Sequence, residues 1–555
     1  MYYHGRFRIR RSERIATLSP PRALWPQSTS TALILLSLAA LGMLGLAHAS
    51  ALGIGVSPDS VAYVHAARSF LAGQGLTTFS PNGGIVPMTQ VPPVYPVLLA
   101  SVAALGVDVA LAAKWLSILL FGVTIVVTGA AVRRSTRSLL LSAFGGLLML
   151  TSYDMLYVHS WAWTEPLFIA LGLLALLLLA EYVEHPSLRR AVAAAIVVAI
   201  AFLTRYTGAA LLITGFVAIV LADRGTRGIE WADVAAFLAV ACGPMLLWLA
   251  WSIHVGAGVA HRSLAWHPPT LRHVASAVDT VWQWLLPGLT PLGLGRSLLA
   301  HIGPAGVWAA VLSCALAVGL LLLAGVRWAS LKGIESGKWL QQPAGRVLCL
   351  SALYCVAYGG LLIASISLLD ASTPVDVRIL SPLYPAILVG ALCLVHEALR
   401  RRKGDGLLRS MLVVTAIALA GAQVARGAAW ITSAHGSGLG YANVAWQRSE
   451  AVEYVRSLDP GRPIFSNRFD ALYFLTGKPA IPIPRKANPI TLRTEEGYAG
   501  DMLRMGRALE ASDGVLVYFS TTRWYMPSAA ELQQELHVEP LLTFSDGVAY
   551  GSIGR

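Results

Sequence analysis

Stretches of some twenty apolar residues, recurring from the start of the chain to about residue 430, decide what this chain can fold into. Hydrocarbon offers a backbone no hydrogen-bond partner, and a helix of ~20 apolar residues satisfies its own N–H and C=O groups across a bilayer. About eleven such stretches can be marked, near 31–53, 109–132, 138–153, 165–183, 190–204, 207–222, 232–253, 305–326, 347–368, 379–399 and 408–430. The segment 94–107 is too short to cross and reads as a re-entrant or interfacial helix. Of 555 residues, 56% are apolar and 13% charged, a balance foreign to soluble domains. The expectation is an α-helical polytopic membrane protein of about 11 transmembrane helices with a small C-terminal α/β extracytoplasmic domain.

The basic residues give an orientation. They gather before the first stretch (Arg6, Arg8, Arg10, Arg11, Arg14, Arg22) and after the second (Arg133, Arg134, Arg137), fourth (Arg189, Arg190), sixth (Arg224, Arg227), eighth (Arg327, Lys332, Lys338, Arg346) and tenth (Arg400, Arg401, Arg402, Lys403, Arg409). Eleven crossings put every one of these clusters on the cytoplasmic side. Residues 1–30 then form a basic cytoplasmic tail and 31–430 the transmembrane part. The loops 54–108 and 254–304 and everything after 431 lie outside, in a cell-membrane protein. The first stretch is too long for a cleaved signal and reads as a retained signal-anchor. The net charge of +13 is a topology signal, and its scatter over short loops argues against nucleic acid as a partner. The cysteines Cys242, Cys314, Cys349, Cys355 and Cys393 all lie in apolar stretches, which excludes a disulfide framework or a cysteine metal site.

Past 431 charged residues and turn signals reach globular density. Helices are expected over Trp446–Leu458, Phe469–Leu475, Gly500–Glu510 and Ala529–Leu536. Strands are expected at Pro463–Ser466, at Val515–Phe519 and in a closing hairpin of Leu541–Phe544 with Val548–Ile553. This alternation suggests a small α/β unit. It holds no G-x-G-x-x-G, P-loop, G-x-S-x-G or H-E-x-x-H, so no nucleotide cofactor is expected.

Chemistry is concentrated in the loops. Ser57-Pro58-Asp59 starts a helix expected to run to Leu71, with Ser57 as cap, Pro58 in the first turn and Asp59 at the positive helix end. Such a start also aims a carboxylate into a cavity, with Tyr63 one turn on along the same face and Arg68 pointing elsewhere. Trp163-Thr164-Glu165-Pro166 follows His159 at the start of the fourth stretch, where Thr164 and Glu165 could simply cap. Arg205 lies between the fifth and sixth stretches; a charge at that depth faces a cavity or partner, or snorkels to the surface. Arg378 follows Asp376, with which it could form a surface pair. His254, His261, His267 and His273 lack zinc spacing. Trp161, Trp163, Trp248, Trp251, Trp266, Trp282 and Trp284 suit an interfacial belt.

Asp59-Ser60-x-x-Tyr63, Ala66-Ala67, Gly73-x-Gly75 and Pro92-Pro93-Val94-Tyr95-Pro96 together resemble the first outer loop of the C-superfamily of membrane glycosyltransferases. The likeness is closer to the group of protein O-mannosyltransferases and lipid A aminoarabinose transferases. Arg378-x-x-x-Pro382-x-x-Pro385 is similar to that group's arginine–proline element. The resemblance implies a sugar donor on a polyprenyl phosphate and an acceptor that is a lipid, glycan or protein, with membrane lipids around both. It implies Asp59 as general base, Glu165 as a second carboxylate shaping the acceptor or metal site, and Arg378 holding the carrier phosphate. Arg205 is placed beside that phosphate, and Tyr63, His159 and Tyr95 in the substrate pocket. The group often carries an acidic pair at its first site; here the second position is Ser60, and a divalent cation is left open. The expected reaction is sugar transfer with inversion. The competing expectation, a transporter or flippase for a lipid-linked or amphipathic substrate, would place charges deep in several helices rather than at their outer ends.

Overall fold

The computed structural model describes residues 28–79, 84–222, 230–255, 264–285, 342–401 and 405–552. Seven described helices are long and apolar enough to cross a bilayer: Thr29–Ala49, Val109–Thr136, Glu165–Glu184, Trp231–His254, Pro343–Leu368, Leu383–Arg401 and Gly406–Ser437. Leu139–Thr151 and Tyr153–His159, bent by 57° at Ser152, make an eighth if counted as one span. Leu188–Thr204 and the pair Tyr206–Gly208 and Ala209–Val220 occupy the fifth and sixth expected positions. The expected span 305–326 lies outside the described residues. The chain is a multi-pass membrane protein.

These helices pack on one core that includes Leu46, Phe121, Ile125, Phe168, Val198, Leu211, Phe237 and Tyr354. At the end opposite Arg133, Arg134, Arg190, Arg346 and Arg400, the segment after the first span folds over the bundle. Ser57 caps Pro58–Leu71, its hydroxyl accepting from the Ser60 amide, and Gly73 at φ +76 closes the helix's exit. A two-stranded ribbon of β1 (Thr77–Phe79) and β2 (Ile85–Pro87) follows, then the short helix Val94–Ala103. Val61, Tyr63, Val64, Tyr95, Leu99, Leu167 and Tyr441 form a second core that joins this loop to the bundle.

Beyond the last span stands a mixed five-stranded sheet of order β4-β3-β5-β7-β6. Here β3 is Ile464–Ser466, β4 Ile481–Pro482, β5 Val515–Phe519, β6 Val538–Thr543 and β7 Gly547–Ser552. β3 runs parallel to β4 and β5, and β7 antiparallel to β5 and β6. β4 is a two-residue strand that alternation of apolar residues does not reveal. The helix expected over Trp446–Leu458 is two pieces, Val444–Gln447 and Glu450–Ser457, because Ser449 turns extended and caps the second by accepting from the Val452 amide.

Three chain segments are knitted together where the sheet meets the bundle. Gly55 donates to the Ser160 carbonyl at 2.8 Å and accepts from the Ala162 amide at 2.9 Å; Val56 accepts from the Tyr441 amide at 2.9 Å. Gly440 sits at φ +54, and a Cβ there would collide with the Val56 carbonyl oxygen and meet the Trp161 ring at 2.6 Å. Gly440→Ala is therefore expected to destabilise the protein by about 1–3 kcal/mol, read as a lower melting temperature of the purified chain, whereas Gly436→Ala, with open space around it, is expected to change nothing measurable.

Candidate active site

Asp59, Glu165, Arg205 and Arg378 come from four separate segments and meet at this knitted end. Asp59 lies in the first turn of Pro58–Leu71. Arg378 lies on the short helix Val377–Leu380, whose start Asp376 caps by accepting from the Arg378 and Ile379 amides at 3.0 and 3.2 Å. Tyr358 donates to the Ile379 carbonyl at 2.7 Å and holds that helix to the bundle. Arg205 ends Leu188–Thr204, and Glu165 begins its own span.

The Arg378 guanidinium bridges the two carboxylates. Its Nη1 is 2.7 Å from Asp59 Oδ2 and its Nε 2.6 Å from Glu165 Oε1. Arg205 Nη1 reaches the same Glu165 oxygen at 2.6 Å and donates to Thr164 Oγ1 at 2.7 Å. The Glu165 side chain is 0% exposed, whereas that of Asp59 is 53% exposed. Glu165 is thus sealed behind the arginines, and Asp59 stands at the mouth. Burial by itself would make both guanidiniums easier to deprotonate; Glu165 overcomes this for each, with Asp59 adding for Arg378, and holds them above the ordinary arginine range. Trp163 lies under Arg378, its ring centroid 4.2 Å from the guanidinium carbon, and donates from Nε1 to Ser57 Oγ at 2.8 Å. One indole therefore links the arginine to the cap of the aspartate's helix.

Several expectations are corrected here. Thr164 makes no side-chain cap bond; Glu165 is turned inward because two guanidiniums draw it there. Asp376 and Arg378 are not a surface pair, since Asp376 is occupied by backbone amides. Arg205 does not snorkel, because Glu165 holds it. His159 is not with the cluster: its ring packs 5.0 Å from that of Phe121 and its Nδ1 bonds the Met155 carbonyl, within the bundle. Trp161 and Trp163 are stacked at 4.8 Å beside the cluster rather than facing lipid.

Tyr63 and Tyr95 do lie here, edge to face at 5.4 Å. Burial, then the Asp59 charge, pushes the Tyr63 phenol up to about 12. Burial raises that of Tyr95 further, and its hydroxyl has no hydrogen-bond partner. Arg205 Nε is likewise buried without an acceptor. The donor set does not suit a divalent cation: each carboxylate is matched by a guanidinium, Ser60 is directed to the Ser57 hydroxyl at 3.2 Å, and no group of three or more metal-ligating side chains occurs among the described residues.

Comparison with known proteins gives the same picture of the fold. Residues 90–251 match the family model described as dolichyl-phosphate-mannose-protein mannosyltransferase. No curated protein matches the sequence. Among solved structures, ArnT from Cupriavidus metallidurans in the apo state is similar with 14% identity and a TM-score of 0.56, covering 94% of this chain and 98% of that one. The same protein bound to undecaprenyl phosphate is similar with 13% identity and a TM-score of 0.57, covering 95% and 99%.

Proposed function

We propose, from the premise that this chain has the fold of the C-superfamily of membrane glycosyltransferases, that it moves a sugar from a polyprenyl-phosphate carrier to an extracytoplasmic acceptor with inversion. The observation that carries the reading is the contact of Asp59 with Arg378, 319 positions apart in sequence and 2.7 Å apart in space, backed by a buried carboxylate and a second arginine. One side-chain cluster thus offers an accessible base and two fixed cations, which is what displacement of a phosphate by a hydroxyl requires.

In the reaction the acceptor oxygen bonds to the anomeric carbon as the bond from that carbon to the phosphate oxygen breaks. The electron pair leaves with the phosphate, whose charge grows, and the acceptor proton passes to the Asp59 carboxylate. Arg378 and Arg205 meet the growing charge with forked, charge-assisted hydrogen bonds; the unpaired Nε of Arg205 is a donor in reserve. Glu165 is a positioning residue: closed off from solvent, it holds both guanidiniums through its Oε1. The donor phosphate displaces Asp59 from Arg378 and so frees the base only when a substrate is present. An extracytoplasmic pocket needs no nucleotide, because the carrier's phosphate is the leaving group. A supplied acceptor hydroxyl, on a lipid, glycan or protein, completes the chemistry.

Trp163 keeps Arg378 in place through its π face. Trp163→Leu removes an attraction of about 0.5–2 kcal/mol and is expected to weaken donor binding several-fold with a smaller effect on turnover, measured as separate KM and kcat changes. The reading itself is tested by transfer of radiolabelled sugar from polyprenyl-phosphate donors in membranes containing the chain. Labelled product that depends on the chain is expected; its absence with every polyprenyl-phosphate sugar tried, from protein that is folded, would overturn the proposal.

A further inference from the structure

A second polar cluster lies within the membrane-embedded part, and the transfer reaction does not use it. Arg426 is on Gly406–Ser437, about three turns before its end. Its guanidinium is 4.1 Å from the Tyr153 ring centroid and has no hydrogen-bond or ion-pair partner among the described residues. Asp154, 1% exposed, is within electrostatic reach of Arg426 but does not pair with it. One Asp154 oxygen accepts from Trp284 Nε1; the other, Oδ1, has no partner. Gln423, 2% exposed and one turn before Arg426, donates to the Trp284 carbonyl at 3.4 Å, while its Oε1 has no partner. Trp430 closes the far side, its ring 6.2 Å from that of Tyr153.

Charges inside a membrane are costly and are kept where a partner or ligand meets them. Buried acceptors without donors cost free energy in the same way. The cluster therefore suits a ligand with two properties: an oxyanion for a forked guanidinium and hydroxyls for Asp154 Oδ1 and Gln423 Oε1. Gly406–Ser437 leaves most of its apolar window outside the protein core, 6% being buried, and Arg426 on it is half-buried, so the side from which an occupant meets the guanidinium is the lipid side.

We infer that Arg426, Gln423 and Asp154 form a binding site for a phosphate-bearing lipid with a hydroxylated headgroup, separate from the pocket at Arg378. An anionic glycerolipid and a polyprenyl-phosphate sugar share this chemistry. An aromatic relay joins the two places: Tyr153 to Tyr157 at 5.8 Å, Tyr157 to Trp163 at 5.8 Å, and Trp163 to Arg378. The site's occupant thus lies beside the reaction pocket on the same side of the bundle.

The test uses the full-length chain in nanodiscs of dioleoyl phosphatidylcholine. These are titrated separately with dioleoyl phosphatidylglycerol, dioleoyl phosphatidic acid and undecaprenyl phosphate, and bound lipid is counted by native mass spectrometry. Arg426→Gln is expected to weaken phosphatidylglycerol about tenfold, the size of a lost charge-assisted hydrogen bond, and Arg426→Lys less. Gln423→Leu is expected to weaken phosphatidylglycerol and leave phosphatidic acid, which lacks the headgroup glycerol and its hydroxyls, unchanged. Loss of undecaprenyl phosphate instead of phosphatidylglycerol on Arg426→Gln identifies the carrier as the source and still supports the site. Unchanged affinity of Arg426→Gln for all three lipids, with an unchanged melting temperature, overturns the inference. Arg378→Gln serves as the separating control: it is expected to weaken undecaprenyl phosphate at the reaction pocket and leave phosphatidylglycerol bound, so either proposal can fail without the other.

Discussion

Asp59→Asn is expected to lower the turnover of sugar transfer by about 10²–10⁴-fold, the usual worth of a positioned proton acceptor, while leaving donor binding intact or tighter. The two halves of this expectation have one physical origin. Asp59 is accessible and sits at the start of a helix anchored by Ser57, so the amide fits in its place without disturbing the fold. Without its charge, however, the side chain takes no proton from an acceptor hydroxyl. It also competes less for the Arg378 Nη1 that it now holds at 2.7 Å, so a donor phosphate reaches that guanidinium more easily. Initial rates at saturating donor, set beside donor binding measured directly, separate the two effects. Equal loss of both would mean that Asp59 acts by holding Arg378 in place.

Arg378→Ala is expected to lower transfer by about 10²–10³-fold, the range found when one fixed donor to a developing oxyanion is removed, and to weaken donor binding as well. Its loss is felt in three directions. Asp59 loses its partner, Trp163 loses the cation on its face, and Glu165, fully enclosed, is left with the Arg205 charge and the Thr164 hydroxyl. Arg378→Lys distinguishes charge from geometry. It restores a cation but cannot span Asp59 and Glu165 together, because an ammonium is a point charge without a planar fork. Partial recovery of binding with little recovery of turnover is expected. A melting curve on each variant shows whether the remaining Glu165–Arg205 pair keeps the fold; full activity in a folded Arg378→Ala would refute the assigned role.

The sequence made some of this visible for definite physical reasons. Long apolar runs announce helices because lipid leaves no other backbone solution. Ser57-Pro58-Asp59 announced a helix start, because capping is local chemistry between neighbouring residues. The partners of Asp59, Glu165 and Arg205 are not legible from spacing, since each lies on another helix and pairing across a bundle leaves no period to read; only the resemblance groups these residues. Local rules alone leave Thr164-Glu165 open as a cap and Asp376–Arg378 as a pair; it is the resemblance that puts Glu165 and Arg378 in the site. His159, near Glu165 in sequence, turns into the bundle because the Tyr153–His159 helix rotates it away from the loop that follows. Trp163 could have been singled out from its place between His159 and Glu165, but a tryptophan near a span end has an ordinary interfacial use. β4 is two residues long and takes its definition from its pairing with β3.

The central claim is that Asp59, Glu165, Arg205 and Arg378 build a single pocket for a lipid-linked sugar, and a cryo-electron microscopy structure of the chain in a nanodisc with an undecaprenyl-phosphate sugar tests it most directly. The phosphate should lie within hydrogen-bond distance of both guanidiniums, with the Asp59 carboxylate on the opposite face of the anomeric carbon and no longer paired to Arg378. A phosphate seated away from both arginines, with the Asp59–Arg378 contact still closed, would contradict it.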